Sequence, residues 1–112
     1  MTALFEPDHA GAELCPSPNF GERRNGAPID MLLLHYTGMK TGQAAQDWLC
    51  DEHSQVSSHY IVHEDGHIVQ MVREADRAWH AGKSCWAGLT DINSHSIGIE
   101  IVNGGHEFGM PD

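Results

Sequence analysis

Two short apolar runs, Met31-Leu-Leu-Leu-His-Tyr-Thr37 and Ser96-Ile-Gly-Ile-Glu-Ile-Val102, limit what this chain can become more than anything else in it. Each has the length and aliphatic density of a strand buried on both faces, and each carries one ionisable residue toward its C-terminal end. An imidazole at His35 or a carboxylate at Glu100 in such a place needs a partner to offset its lost hydration. A zinc ion and the water it carries would supply such partners. A lone histidine at a strand end is more often a hydrogen-bonded rim residue than a ligand. Glu100 is harder to dismiss, because Glu is almost never fully buried unless paired. Gly98, two positions earlier on the same face, leaves room for something to approach the carboxylate.

The 112 residues, 40% of them hydrophobic, suffice for one domain with a core that needs no disulfides. Sixteen acidic against six basic residues give a net charge of -10, which argues against a nucleic-acid or anionic-membrane partner. The first residues lack the basic and apolar regions of a secretory signal, and no run approaches membrane-spanning length, so a cytoplasmic location is expected. Cys15, Cys50 and Cys85 are odd in number, far apart in sequence and without C-x-x-C spacing, which predicts reduced thiols, with Cys50 packed under a helix.

Residues 1–28, with Pro7, Pro16, Pro18 and Pro28 and no sustained periodicity, read as an extended arm, and 29–112 as the domain proper. Asp30 to Tyr36 is the first strand, expected to be central because both faces are apolar. Gln43 to Cys50 is helical, capped by Thr41, with Ala44, Ala45, Trp48 and Leu49 forming one apolar stripe. His59–Glu64 and His67–Val72 flank Asp65-Gly66 as a hairpin with a two-residue turn, pairing Val62 with Val69 and Tyr60 with Met71 on the core face. Arg73 to Ala81 is expected to be irregular or one helical turn, Gly82 to His95 a loop, and Ile97 to Val102 the last strand.

Nine histidines invite a metal-cluster reading that spacing mostly rejects. His59 and His63 lie on a strand, where four residues span about 13 Å at roughly 3.3 Å per residue, so they cannot share an ion as neighbours. His53, His67, His95 and His106 read as surface residues, and His9 belongs to the arm. His80 differs. In Trp79-His-Ala-Gly82 it stands beside minimal side chains that would let a ligand approach the backbone, although a Trp simply anchoring a loop is an equal alternative.

Taken in order, Leu-Leu-Leu-His35-Tyr-Thr, Val56-Ser-Ser-His59-Tyr running into Asp65-Gly66, Ala78-Trp-His-Ala-Gly82 and Ser96-Ile-Gly-Ile-Glu100 resemble the zinc-dependent N-acetylmuramoyl-L-alanine amidases. This amidase-2 group also includes T7-type lysozymes and peptidoglycan recognition proteins. Ser17-Pro-Asn-Phe looks like the entry arm of its bacterial members. The resemblance implies an α/β fold, a mixed central β-sheet flanked by helices. It implies His35 as the first of three protein ligands to one Zn2+ and Glu100 as the catalytic acid/base. Tyr36, Trp79, His80, Ala81 and Asn103 are the expected contacts to a peptidoglycan fragment or muropeptide substrate. Ser58 stands where the lysozyme-like branch has a Tyr, which sides with the bacterial branch in which Glu carries the role. The family's other two ligands and a transition-state Lys lie in a C-terminal segment without counterpart in these 112 residues. The expectation is therefore the front portion of the domain, with the remaining ligands beyond residue 112 and doubtful activity of the chain alone. A non-catalytic muropeptide-binding module and an inactive fragment stay open as alternatives.

Overall fold

The computed structural model describes residues 5–39, 41–81 and 91–102. Its elements in order are β1 (Glu13–Leu14), β2 (Phe20–Glu22), β3 (Met31–Tyr36), α1 (Gly42–Leu49), β4 (Tyr60–Val62), β5 (Ile68–Gln70), β6 (Asp76–Ala78), α2 (Ile92–His95) and β7 (Ser96–Ile101). Five strands make one mixed sheet in the order β1-β5-β4-β7-β3, and β2 with β6 forms a separate two-stranded antiparallel sheet. The two apolar runs are β3 and β7, and they pair in parallel along their whole length.

β3 is an edge strand among the described residues, not the central strand its composition predicts. Met31, Leu33 and His35 are half-buried, whereas Leu32 and Leu34 are each 61% exposed. Among the described residues a helix covers one face of the sheet: α1 packs Ala45 and Leu49 against Ile61, Val69 and Val102. Thr41 caps this helix, its hydroxyl accepting from the Ala44 amide at 3.1 Å. The buried stripe is narrower than expected, because Ala44 and Trp48 face outward and only the i, i+4 pair Ala45 and Leu49 is buried.

The hairpin forms with a register shifted by one residue from the sequence reading. Tyr60 pairs with Gln70, Ile61 with Val69 and Val62 with Ile68. The turn holds three residues, Glu64, Asp65 and Gly66, closed by the His63 amide on the His67 carbonyl at 2.8 Å and the Gly66 amide on the His63 carbonyl at 2.9 Å. Gly66 takes φ +89°, the left-handed position that such a turn reserves for glycine. A one-residue shift exchanges the faces of a strand, and so Ile61, fully buried, replaces Val62 as the core residue.

The arm is more ordered than an extended wrap. β1 adds to the main sheet beside β5, and β2 pairs with β6, which is the strand that replaces the irregular segment expected at Arg73 to Ala81. Between β1 and β2, the buried Ser17 hydroxyl donates to the Leu49 carbonyl at 2.6 Å. The Asn19 amide donates to the Asp51 and Val56 carbonyls, both at 2.8 Å. The Ser-Pro-Asn segment thereby supplies donors to backbone carbonyls at and beyond the C-terminal end of α1 and ties the arm to that end of the helix. The residues before β7 are not all loop, since Ile92–His95 closes a short helical turn. Cys15 and Cys50, remote in sequence, meet with Sγ atoms 3.5 Å apart as free thiols. Burial, reinforced by Cys15, pushes the Cys50 thiol up to about 12. Cys85 lies outside the described residues.

Candidate functional site

The site is built on the α1-facing row of β7, where Ser96, Gly98 and Glu100 alternate inward. His35 on β3 is the register partner of Glu100, so the imidazole and the carboxylate project from the same face of neighbouring strands. Ile61 flanks Glu100 on the other side and belongs to the apolar core. Glu100 makes no hydrogen bond or ion pair among the described residues. Burial alone pushes its carboxyl up to about 7, which places its titration at neutral pH.

His80 enters this row rather than standing off in a loop. Its Nδ1 is 3.1 Å from His35 Nε2 and its Nε2 is 2.9 Å from Ser96 Oγ. The ring lies over Gly98: a Cβ there would fall 2.5 Å from His80 Cγ. The space that Gly98 leaves is therefore filled by an imidazole. Asn93 holds the segment, with its Oδ1 accepting from the His80 amide at 3.1 Å and the Ala81 amide at 2.8 Å. Arg23 in turn donates to the Asn93, Ser94 and Glu74 carbonyls, tying α2 to the turn that precedes β6. Burial, aided by the nearby His59 and His35, pushes His80 down to about 3, and burial lowers His35 as well.

His59 is fully buried and structural. Its Nδ1 accepts from the Gly98 amide at 3.0 Å and its Nε2 donates to the Asp76 carbonyl at 2.9 Å, so both nitrogens are engaged and neither is free for a metal. Burial pushes it down to about 4, so it stays neutral at neutral pH.

Glu100 and His80 line a cavity of about 420 Å3 together with Tyr36, Trp48, Met39 and Ser57. His35 is not part of that wall and reaches it through His80. Trp79 and Ala81 are not on it either. The Trp79 amide is held by Ser57 Oγ at 2.9 Å and the Ala81 amide by Asn93, so these residues act through their backbone in the described structure. Asn103 and His106 lie outside the described residues. The contacts of His80 with Ser96 and of Arg23 with Asn93 escaped sequence reasoning; Gly98 between two isoleucines was the one available signal for the first.

His35 suits a ligand role in one respect, since its second nitrogen is held by a hydrogen bond, the usual condition of a ligating histidine. Among the described residues no three His, Cys, Asp or Glu side chains converge into a metal-holding group.

Residues 25–112 match the amidase-2 family model, described as N-acetylmuramoyl-L-alanine amidase. The chain is similar to 1,6-anhydro-N-acetylmuramyl-L-alanine amidase AmpD of Escherichia coli K12, with 32% identity over 108 residues covering 81% of this chain and 59% of that protein. It is also similar to N-acetylmuramoyl-L-alanine amidase AmiD of the same organism, with 42% identity over 84 residues, 69% of this chain and 29% of the other. Among solved structures, a selenomethionine derivative of AmpD superimposes with a TM-score of 0.76 at 30% identity, covering 91% of this chain and 66% of that one. E. coli AmiD in complex with anhydro-N-acetylmuramic acid-L-Ala-D-gamma-Glu-L-Lys superimposes with a TM-score of 0.63 at 36% identity, covering 78% of this chain and 40% of that one. The chain thus spans a little over half the length of the AmpD protein it matches.

Proposed function

Since this chain belongs to the N-acetylmuramoyl-L-alanine amidase family, we propose that it carries the base and one metal ligand of a zinc-dependent amidase acting on the bond between N-acetylmuramic acid and L-alanine. The single observation that carries the reading is the shared rung of His35 and Glu100, with a carboxylate that has no partner among the described residues facing a cavity. The substrate is a muropeptide bearing a 1,6-anhydro sugar, supported by the AmpD relatives' names and by the anhydromuropeptide bound in the AmiD structure. The proposed place is the cytoplasm, where such fragments would be recycled; among the described residues no helix is long and apolar enough to cross a membrane.

Zinc, when bound, supplies Lewis-acid polarisation of the scissile carbonyl. His35 would hold it. Glu100 takes the proton of the attacking water and delivers it to the departing alanine nitrogen. A carboxyl whose burial brings it to about 7 is poised for both halves of that transfer at neutral pH. Tyr36 and His80, both on the cavity wall, are the proposed contacts for the muropeptide. A binding-only module is the second reading, favoured by the lack of three converging ligand side chains among the described residues.

The test is incubation of the zinc-supplemented chain with a 1,6-anhydro-muramoyl tripeptide, following released peptide by mass spectrometry and binding by calorimetry. Hydrolysis that Glu100→Gln lowers by about 10²- to 10⁴-fold is the expected result for an amidase. Saturable binding without cleavage in both chains would establish the binding module instead.

A further inference from the structure

Building on the proposed ligand role of His35, we infer that Ser96 and His80 are positioning residues that dictate which His35 nitrogen is left bare for the metal. The direction of the chain is set at a backbone carbonyl. The Ile92 carbonyl can only accept, and the Ser96 hydroxyl directs its single proton to it at 2.8 Å. Ser96 Oγ therefore acts as acceptor toward His80 Nε2, 2.9 Å away, and His80 carries its proton on Nε2. His80 Nδ1 is then a lone pair. It stands 3.1 Å from His35 Nε2, which must be protonated to bond to it. A neutral imidazole has one proton, so His35 Nδ1 is left unprotonated.

A ligating histidine is commonly oriented by a carboxylate or a carbonyl, groups that accept whatever their surroundings. An imidazole accepts at a given nitrogen only in one tautomer. Here that tautomer is imposed from outside by a hydroxyl that is fully buried, where no water competes for its bonds. Gly98 completes the device, because any Cβ at that position would overlap the His80 ring. His59 does not enter the chain, both its nitrogens being bound elsewhere.

The experiment is a long-range proton–nitrogen NMR correlation on the metal-free, 15N-histidine-labelled 112-residue chain at mildly alkaline pH. Pyridine-type Nδ1 and pyrrole-type Nε2 signals for both His35 and His80 are expected. In Ser96→Ala the His80 N–H loses its acceptor, and the His35 signals should move toward a tautomer mixture. Zinc affinity by dialysis should then fall about 10- to 100-fold. A His35 protonated on Nδ1 in the parent chain, or His35 signals indifferent to Ser96→Ala, would overturn the inference. Zinc added to the same sample reads the ligand role separately. Loss or shift of the His35 Nδ1 signal supports that role, whereas the expected tautomers with no zinc response would remove it and leave the positioning chain standing.

Discussion

His35 and Glu100 occupy the same rung of the parallel β3–β7 ladder, and only one of the two side chains has a partner among the described residues. The imidazole is held by His80; the carboxylate is held by nothing among the described residues. That asymmetry makes Glu100 costly to the fold when ionised. Its folded-state value of about 7 lies above the ordinary 4.5, so between these values the folded chain binds a proton that the unfolded chain does not. Its contribution to stability accordingly declines as pH rises through that window. Glu100→Gln in the metal-free chain should be more stable than the parent above pH 7 and indistinguishable from it near pH 4, by urea unfolding. Equal stability at both pH values would mean that the carboxylate is solvated.

Acid should act through the buried histidines. His59 and His80 are depressed from 6.5 to about 4 and about 3, so the unfolded chain binds protons that the folded one refuses. Their contribution is present above 6.5 and is lost as pH falls through the folded values. Two imidazoles outweigh one carboxyl of opposite sign, and the urea midpoint should drop on acidification, more steeply in Glu100→Gln. A flat midpoint between neutral pH and pH 4 would contradict the burial of these rings.

Gly98→Ala should cost about 1–3 kcal/mol, the usual penalty for overpacking. The new Cβ would meet His80 ring atoms at 2.5 to 2.7 Å and push the ring away from His35. Thermal unfolding measures the penalty, and the His80 NMR signals should move with it.

Asn19→Ala should destabilise by about 1–3 kcal/mol, because a buried side chain that bridges the Asp51 and Val56 carbonyls is lost. The amide bonds to Asp51 and Val56 at 2.8 Å tie the arm to the turn after α1, and proteolysis should then begin in the arm. An unchanged midpoint would show that water replaces the side chain.

Leu32 and Leu34, exposed at 61% each, and Ile101, at 39%, form an apolar strip on the face opposite α1. The parent chain should self-associate in sedimentation at high concentration, and a Leu32→Lys, Leu34→Lys pair should suppress this without lowering the unfolding midpoint.

The elements that depend on local pattern were legible in the amino acids. Aliphatic runs with a polar end marked β3 and β7, Thr41 before a helical stretch marked the start of α1, and Asp65-Gly66 marked the hairpin. Glu100 and His35 stood out because ionisable groups inside such runs need a reason. What the sequence could not contain is which strands neighbour which. Among the described residues the edge position of β3 follows from its pairing to β7 alone, and the hairpin register followed the burial of Ile61 instead of the turn dipeptide. β6 exists only because β2, some fifty residues earlier, supplies its partner. The meeting of His80 with His35 and Ser96 is likewise a product of three separate segments, brought together by Asn93 and admitted by the missing side chain of Gly98. Local propensity is carried by neighbours along the chain, whereas a hydrogen-bonded row across strands is decided by the packing that sets their order.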